Sequence, residues 1–293
     1  MTTQKNQNPQ MAQTTMTTQA RHYASAAQQV SSDSSTWLTR GANFVVAVTQ
    51  AQAASVLSRE NHPDEYMVYL VDAPAVIEAG GKRIEAKADS LTIVPPGASR
   101  ITLSASGQVV RVFSTHAADL VDASSNAALY ATGAPDVAPL QAWPDPVGGF
   151  GLRNYSLSEH TKADSNMRIF RSCNLMINIM TPRLVARDVH KLSPHSHADF
   201  EQGSLALAGN WVHHMRYPWT PDMTTWKEDE HIEMGSPSLL VIPPKVVHTS
   251  RNVNDGGSAL VDVFAPPRMD FSLKPGMVCN AADYPMPATG PQQ

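Results

Sequence analysis

The stretch Pro194-His195-Ser196-His197-Ala198-Asp199-Phe200-Glu201-Gln202 decides how the rest of the chain is read. Side chains alternate faces along an extended strand, so His195 and His197 point to the same side. A carboxylate four residues on, at Glu201, can swing to the same point. A fourth donor, His248, stands in the distant segment PPKVVHTSRN (243–252), so a folded barrel must bring the two segments together around one ion. Imidazole and carboxylate suit Fe, Mn, Ni, Cu or Zn better than Mg or Ca, and no thiolate takes part.

Working outward, the segment around His248 has a double. Ser90 to Arg100 (SLTIVPPGASR) aligns without gaps against Ser238 to His248 (SLLVIPPKVVH), with Ser, Leu and the Pro pair in register. Upstream, HPDEYMVYL from His62 answers HADFEQGSL from His197; downstream, VVRVFS from Val109 answers LVDVFA from Leu260. The same order in both halves indicates duplication of one β-module. Short apolar runs broken by Gly80-Gly81 and Pro96-Gly97 give an all-β rhythm.

These residues resemble the two cupin motifs. H-x-H-x-x-x-E followed by glycine is met by His195, His197, Glu201 and Gly209; the second motif is met by Gly235, Pro243, His248 and Asn252, with Lys245 where glycine is usual. The resemblance implies a bicupin: an all-β chain of two tandem cupin barrels of the double-stranded β-helix or jelly-roll type. It implies one divalent metal ion per chain, Fe(II) or Mn(II) favoured over Zn(II) or Ni(II), on His195, His197, Glu201 and His248. In the first half the motif positions hold Glu60, His62 and Arg100. That module is expected to bind no metal, with Arg100 in an ion pair with Glu60 or Glu65, or else lining an anion pocket.

The expected organisation is a flexible, Gln- and Thr-rich arm over 1–34, a first barrel over 35–122, a crossover over 123–165, a second barrel over 166–270 and a strap over 271–293. With 22 Lys and Arg in 293 residues and a net charge of −4, no basic stripe exists to track nucleic acid or an anionic membrane. The two cysteines, Cys173 and Cys279, form no disulfide framework or thiolate zinc pattern, which fits a cytoplasmic protein. Neither an export signal nor a membrane span is expected. A homodimer or higher homo-oligomer is implied by the resemblance alone.

From His197 to Pro243 is 46 residues, against 33 from His62 to Pro95, and the excess of about 13 falls within YPWTPDMTTWKEDEH (217–231). Its Pro and Trp content suggests a loop at a barrel mouth, serving as an aromatic lid, a dimer contact or simple packing. Just before it, NWVHHMRY sets Trp211, His213, Met215 and Tyr217 on one face and Val212, His214 and Arg216 on the other. One of the two histidines must face inward. His214 and Arg216 are the catalytic candidates, to shuttle a proton or orient an anionic small-molecule substrate.

Three imidazoles and one carboxylate leave a divalent ion with a net charge of about +1 and two open cis positions. The family resemblance favours a dioxygenase acting on a small oxygenated or aromatic substrate. The alternatives are a lyase, isomerase, decarboxylase or hydrolase using the ion as a Lewis acid, or a ligand-binding protein without turnover.

Overall fold

A computed structural model describes residues 17–288, in which strands form four antiparallel sheets. The first module pairs a seven-stranded sheet with a four-stranded one. The larger runs Arg153–Ser156, Ser90–Val94, Tyr66–Leu70, Gly107–Ser114, Phe44–Ala51, Ser34–Arg40 and Gln29–Val30; the smaller runs Val56–His62, Gly97–Leu103, Ala75–Ala79 and Lys82–Ala86. The second module pairs six strands with three. Its larger sheet runs Thr18–Ala20, Ser238–Ile242, Gln202–Ala208, Ala259–Phe264, Met176–Ile179 and Ile169–Arg171; its smaller runs Glu230–Met234, Trp211–Arg216 and Val247–Asn252. Among the described residues no helix is long and apolar enough to cross a membrane.

The two large sheets pack face to face, and this explains why their strands are near-continuous apolar runs. Along Gly107–Ser114, Val109 and Phe113 fill the first barrel, while Val110 and Val112 join a core shared with the second module. Phe44, Val46, Leu91 and Ile93 from one side meet Ile177, Leu205, Val241 and Val263 from the other, each at most 2% exposed. Burying each such side chain contributes roughly 1.5–3 kcal/mol.

Two strands cross between the modules. Thr18–Ala20 extends the second module's sheet with Thr18 opposite Val241, and Arg153–Ser156 extends the first module's sheet with Arg153 opposite Ile93. Val241 and Ile93 are the same position of the duplicated strand, so the exchange is reciprocal. Residues 17–34, expected to be part of a flexible arm, are therefore built into the fold; residues 1–16 lie outside the described residues. The expected crossover likewise contains a sheet strand, and the strap buries Tyr284 at 1% exposure. Residues 289–293 of that strap lie outside the described residues.

A pair of buried carboxylates fastens the modules with the same symmetry. Glu201 accepts hydrogen bonds from Tyr130 OH (3.0 Å) and the Ala42 backbone N–H (2.6 Å). Glu65 accepts from Tyr284 OH (2.8 Å) and the Cys173 N–H (3.4 Å). Ala42 and Cys173 each sit in a hairpin turn of the opposite module, between Ser34–Arg40 and Phe44–Ala51 and between Ile169–Arg171 and Met176–Ile179. Gly41 is needed beside the first latch, because a Cβ there would lie 2.7 Å from Glu201 Oε2.

Burial raises the carboxyl of Glu65 above its ordinary range, against the lowering effect of the Tyr284 hydrogen bond. A carboxyl whose folded pKa is raised contributes stability that is full below the unfolded value of about 4.3 and is lost as pH rises through the folded value. Glu65→Gln should therefore gain Tm relative to the parent chain as pH climbs from about 4 toward neutrality. Thermal melts across that range giving two parallel curves would contradict it.

Candidate metal centre

Two segments far apart in sequence are sewn together by backbone pairing. The His195 N–H donates to the His248 carbonyl (3.1 Å) and the His248 N–H to the His195 carbonyl (2.8 Å), while the Lys245 N–H donates to the His197 carbonyl (2.6 Å). Lys245 holds φ at +67°, the left-handed conformation that Gly97 takes in the first module at +103°. The lysine thus preserves the turn, at a cost of about 1–2 kcal/mol relative to glycine.

The outcome is a group of three imidazoles, His195, His197 and His248, whose ligating atoms lie within 4.8 Å of one another. Nδ1 of His195 lies 2.9 Å from the Ser193 carbonyl, and Nδ1 of His248 lies 2.9 Å from the Val246 carbonyl. A carbonyl can only accept, so both rings carry a proton on Nδ1, which leaves Nε2 as the atom that can face an ion. Burial pushes His197 down to about 3 and His248 to about 4, which keeps both neutral near pH 7.

Glu201, expected as the fourth ligand, is not in this group. Its carboxylate faces the other way, into the latch with Tyr130 and Ala42. Strand parity is the reason: Gln202, Ser204 and Ala206 point into the barrel, whereas Leu205 on the opposite parity joins the shared core. Gln202 instead lies against the imidazoles, its Oε1 2.9 Å from His197 Nε2 and 3.3 Å from His248 Nε2. Its Nε2 donates to Asp262 (3.0 Å) and Ser204 Oγ (3.4 Å), which turns the amide oxygen toward the imidazoles. Asp262 also accepts from Ser204 Oγ (3.2 Å), and burial pushes its carboxyl up to about 6. Three imidazole nitrogens and an amide oxygen, all neutral, fit a first-row divalent ion.

The catalytic candidates His214 and Arg216 lie on the outer face of their strand. The Arg216 side chain is 72% exposed and ion-paired with Asp229, and His214 Nδ1 meets His231 Nδ1 at 2.7 Å. The inward histidine is His213, at 0% exposure, with Nδ1 2.7 Å from Ser250 Oγ and Nε2 without a partner among the described residues. Its signal was in the sequence: it shares parity with Trp211 and Met215, both buried. In the insertion Trp219 and Trp226 stack at 4.5 Å, lining a groove of about 760 Å³ with Arg216, Lys245 and Val247.

Against the imidazoles lies a cavity of about 80 Å³ lined by His195, Gln202, His248, Asp262 and two arginines. Arg187 is committed to the Ser250 and Lys191 carbonyls and Ser193 Oγ. Arg183 also lines the cavity, and its side chain makes no hydrogen bond or ion pair among the described residues.

Two substitutions separate the latch from the centre. Glu201→Gln should leave metal content unchanged while His248→Ala removes most of it, measured by elemental analysis after gel filtration. Asp262→Ala, which frees the Gln202 amide, should weaken metal affinity about 10- to 100-fold. Equal losses from Glu201→Gln and His248→Ala would return Glu201 to the ligand set.

No family model matches the chain, and no curated protein matches it in sequence. Solved structures do match in fold. The E. coli protein YlbA superposes with a TM-score of 0.56 at 10% identity, covering 89% of this chain and 96% of that one. A mutant of Bacillus subtilis oxalate decarboxylase gives 0.56 at 10% identity, covering 88% and 81%. AerE from Microcystis aeruginosa gives 0.54 at 9% identity, covering 82% and 95%. At these identities the likeness is one of architecture, an all-β fold of antiparallel barrels; the imidazoles lie in this chain's second module.

Proposed function

We propose that this chain is a bicupin enzyme that uses a divalent ion, held by His195, His197, His248 and Gln202, to act on a small carboxylate without oxygen chemistry. The observation that carries this reading is the amide in place of a carboxylate. A neutral donor set leaves the full +2 charge at the centre, which favours Lewis-acid polarisation, and it lacks the carboxylate of the two-His, one-carboxylate triad of non-haem Fe(II) oxygenases. This weighs against the dioxygenase expectation and toward its non-oxidative alternative. The oxalate decarboxylases among the structural neighbours, named for a small carboxylate, agree with it.

A bound ion would polarise a substrate carbonyl or activate a water molecule there. The chain's own residues do the rest. Arg183 offers a guanidinium fork to the substrate carboxylate, and Trp211, Met180 and Leu260 form an apolar wall that limits water in the cavity. Asp262 and Ser204 keep the Gln202 amide oxygen aimed at the imidazoles.

Purified protein should carry a divalent first-row ion and convert a member of a panel of small hydroxy- and keto-carboxylates with no oxygen uptake. Arg183→Leu should raise KM about 10-fold or more with metal content unchanged. Substrate-dependent oxygen consumption would sink the proposal and restore the dioxygenase reading.

A further inference from the structure

The first barrel repeats the geometry of the centre with different chemistry. Ser99 stands opposite Arg59 as His248 stands opposite His195, and Tyr66 opposite Val94 as Gln202 stands opposite Ile242. His62 meets Gly97 as His197 meets Lys245, and Arg111 sits opposite Val68 as Asp262 sits opposite Ser204. The contact between Tyr66 OH and Ser99 Oγ (2.9 Å) mirrors that between Gln202 and His248 (3.3 Å). Where the second barrel has ligands for a cation, the first has hydroxyls, an imidazole and two guanidinium groups.

Arg100, expected in this interior or in an ion pair there, is exposed on the outer side of its strand; a β-bulge between Gly97 and Ser99 shifts the parity. The arginine inside is Arg111, 7% exposed, with a buried Nε that has no partner among the described residues. Among the described residues its side chain makes no hydrogen bond or ion pair. Neither nearby acid bonds it: Asp119 holds Arg59 through two bonds (2.6 and 2.8 Å), and Asp64 accepts from Ser114 and Asn174 through Oδ2, with His116 Nδ1 at 3.0 Å and His62 at 3.4 Å. The guanidinium carbons of Arg59 and Arg111 each lie 5.7 Å from the Phe113 ring centre, so both converge on one wall. The strand partners beside Arg111 and Ser99 are Ala47 and Ala79, among the smallest side chains available.

An arginine stays charged at any pH the fold survives, and a buried charge without a counterion is costly. We infer that the first barrel binds a small carboxylate, gripped by the Arg111 fork with the free hydroxyl proton of the Tyr66–Ser99 pair as a further donor, at the position where the second barrel gathers its imidazoles. The single uncompensated charge of Arg111 matches a monoanion, and the planar fork matches a carboxylate.

The test uses the full chain with His195→Ala and His248→Ala, which lacks the imidazole group and so stands apart from the metal-centre reading. Calorimetric titration with formate, acetate and glycolate should show saturable binding with a rise in Tm, and adding Arg111→Met should weaken it about 10-fold or more. Should that variant fail to fold, Arg111→Lys, which keeps the charge but loses the fork, should show the same loss. No carboxylate binding by the double variant, binding unchanged by either Arg111 substitution, or a preference for phosphate or sulfate would each overturn the inference.

Discussion

Two sheets that are apolar on both faces cannot stop at being the wall of a barrel; their outer faces must also leave water. In this chain they leave it against each other, and the positions of the remaining parts follow from that seam. Phe44 and Leu239 press on Gly203, whose missing side chain lets the sheets approach, with the Phe44 ring 3.1 Å from where a Cβ would be. The same approach brings a hairpin turn of each module onto the other module's buried glutamate. The seam fixes which side of each strand is free to face a barrel interior, and so which side chains can meet there.

Strand parity sets how much was legible in the sequence. The duplication, the all-β architecture and the three imidazoles could be read because they rest on strong local repeats and on residues whose spacing tolerates no other face. Glu201 could not be placed that way. It lies one residue before the regular strand, and only the opposing Tyr130 and Ala42, remote in sequence, show that it belongs to the seam. Arg100 failed for a related reason, since a bulge shifts its strand by one residue and gapless alignment cannot see a bulge. The choice between His213 and His214 was open to parity alone, because the buried neighbours Trp211 and Met215 share the face of His213.

The exchanged strands were illegible for a different reason. Thr18–Ala20 and Arg153–Ser156 are short, polar and flanked by segments rich in Gln, Gly or Pro. Nothing in their own pattern demands a strand. Each becomes one because the edge of Ser238–Ile242 or Ser90–Val94 offers unpaired backbone groups that need partners. Composition reads such segments as arms and linkers, and tertiary pairing overrides it.

The reciprocal exchange also says what kind of object the chain is. A repeat that starts at its first strand and ends at its latch tyrosine cannot close its own sheet, because that strand lies on its twin. Cut between the repeats, each half would present an open edge and an unclaimed strand, and two like halves would satisfy one another only by trading them. The chain is in effect a strand-swapped dimer whose two subunits have been fused end to end, leaving each half free to change its interior while the other keeps the fold closed.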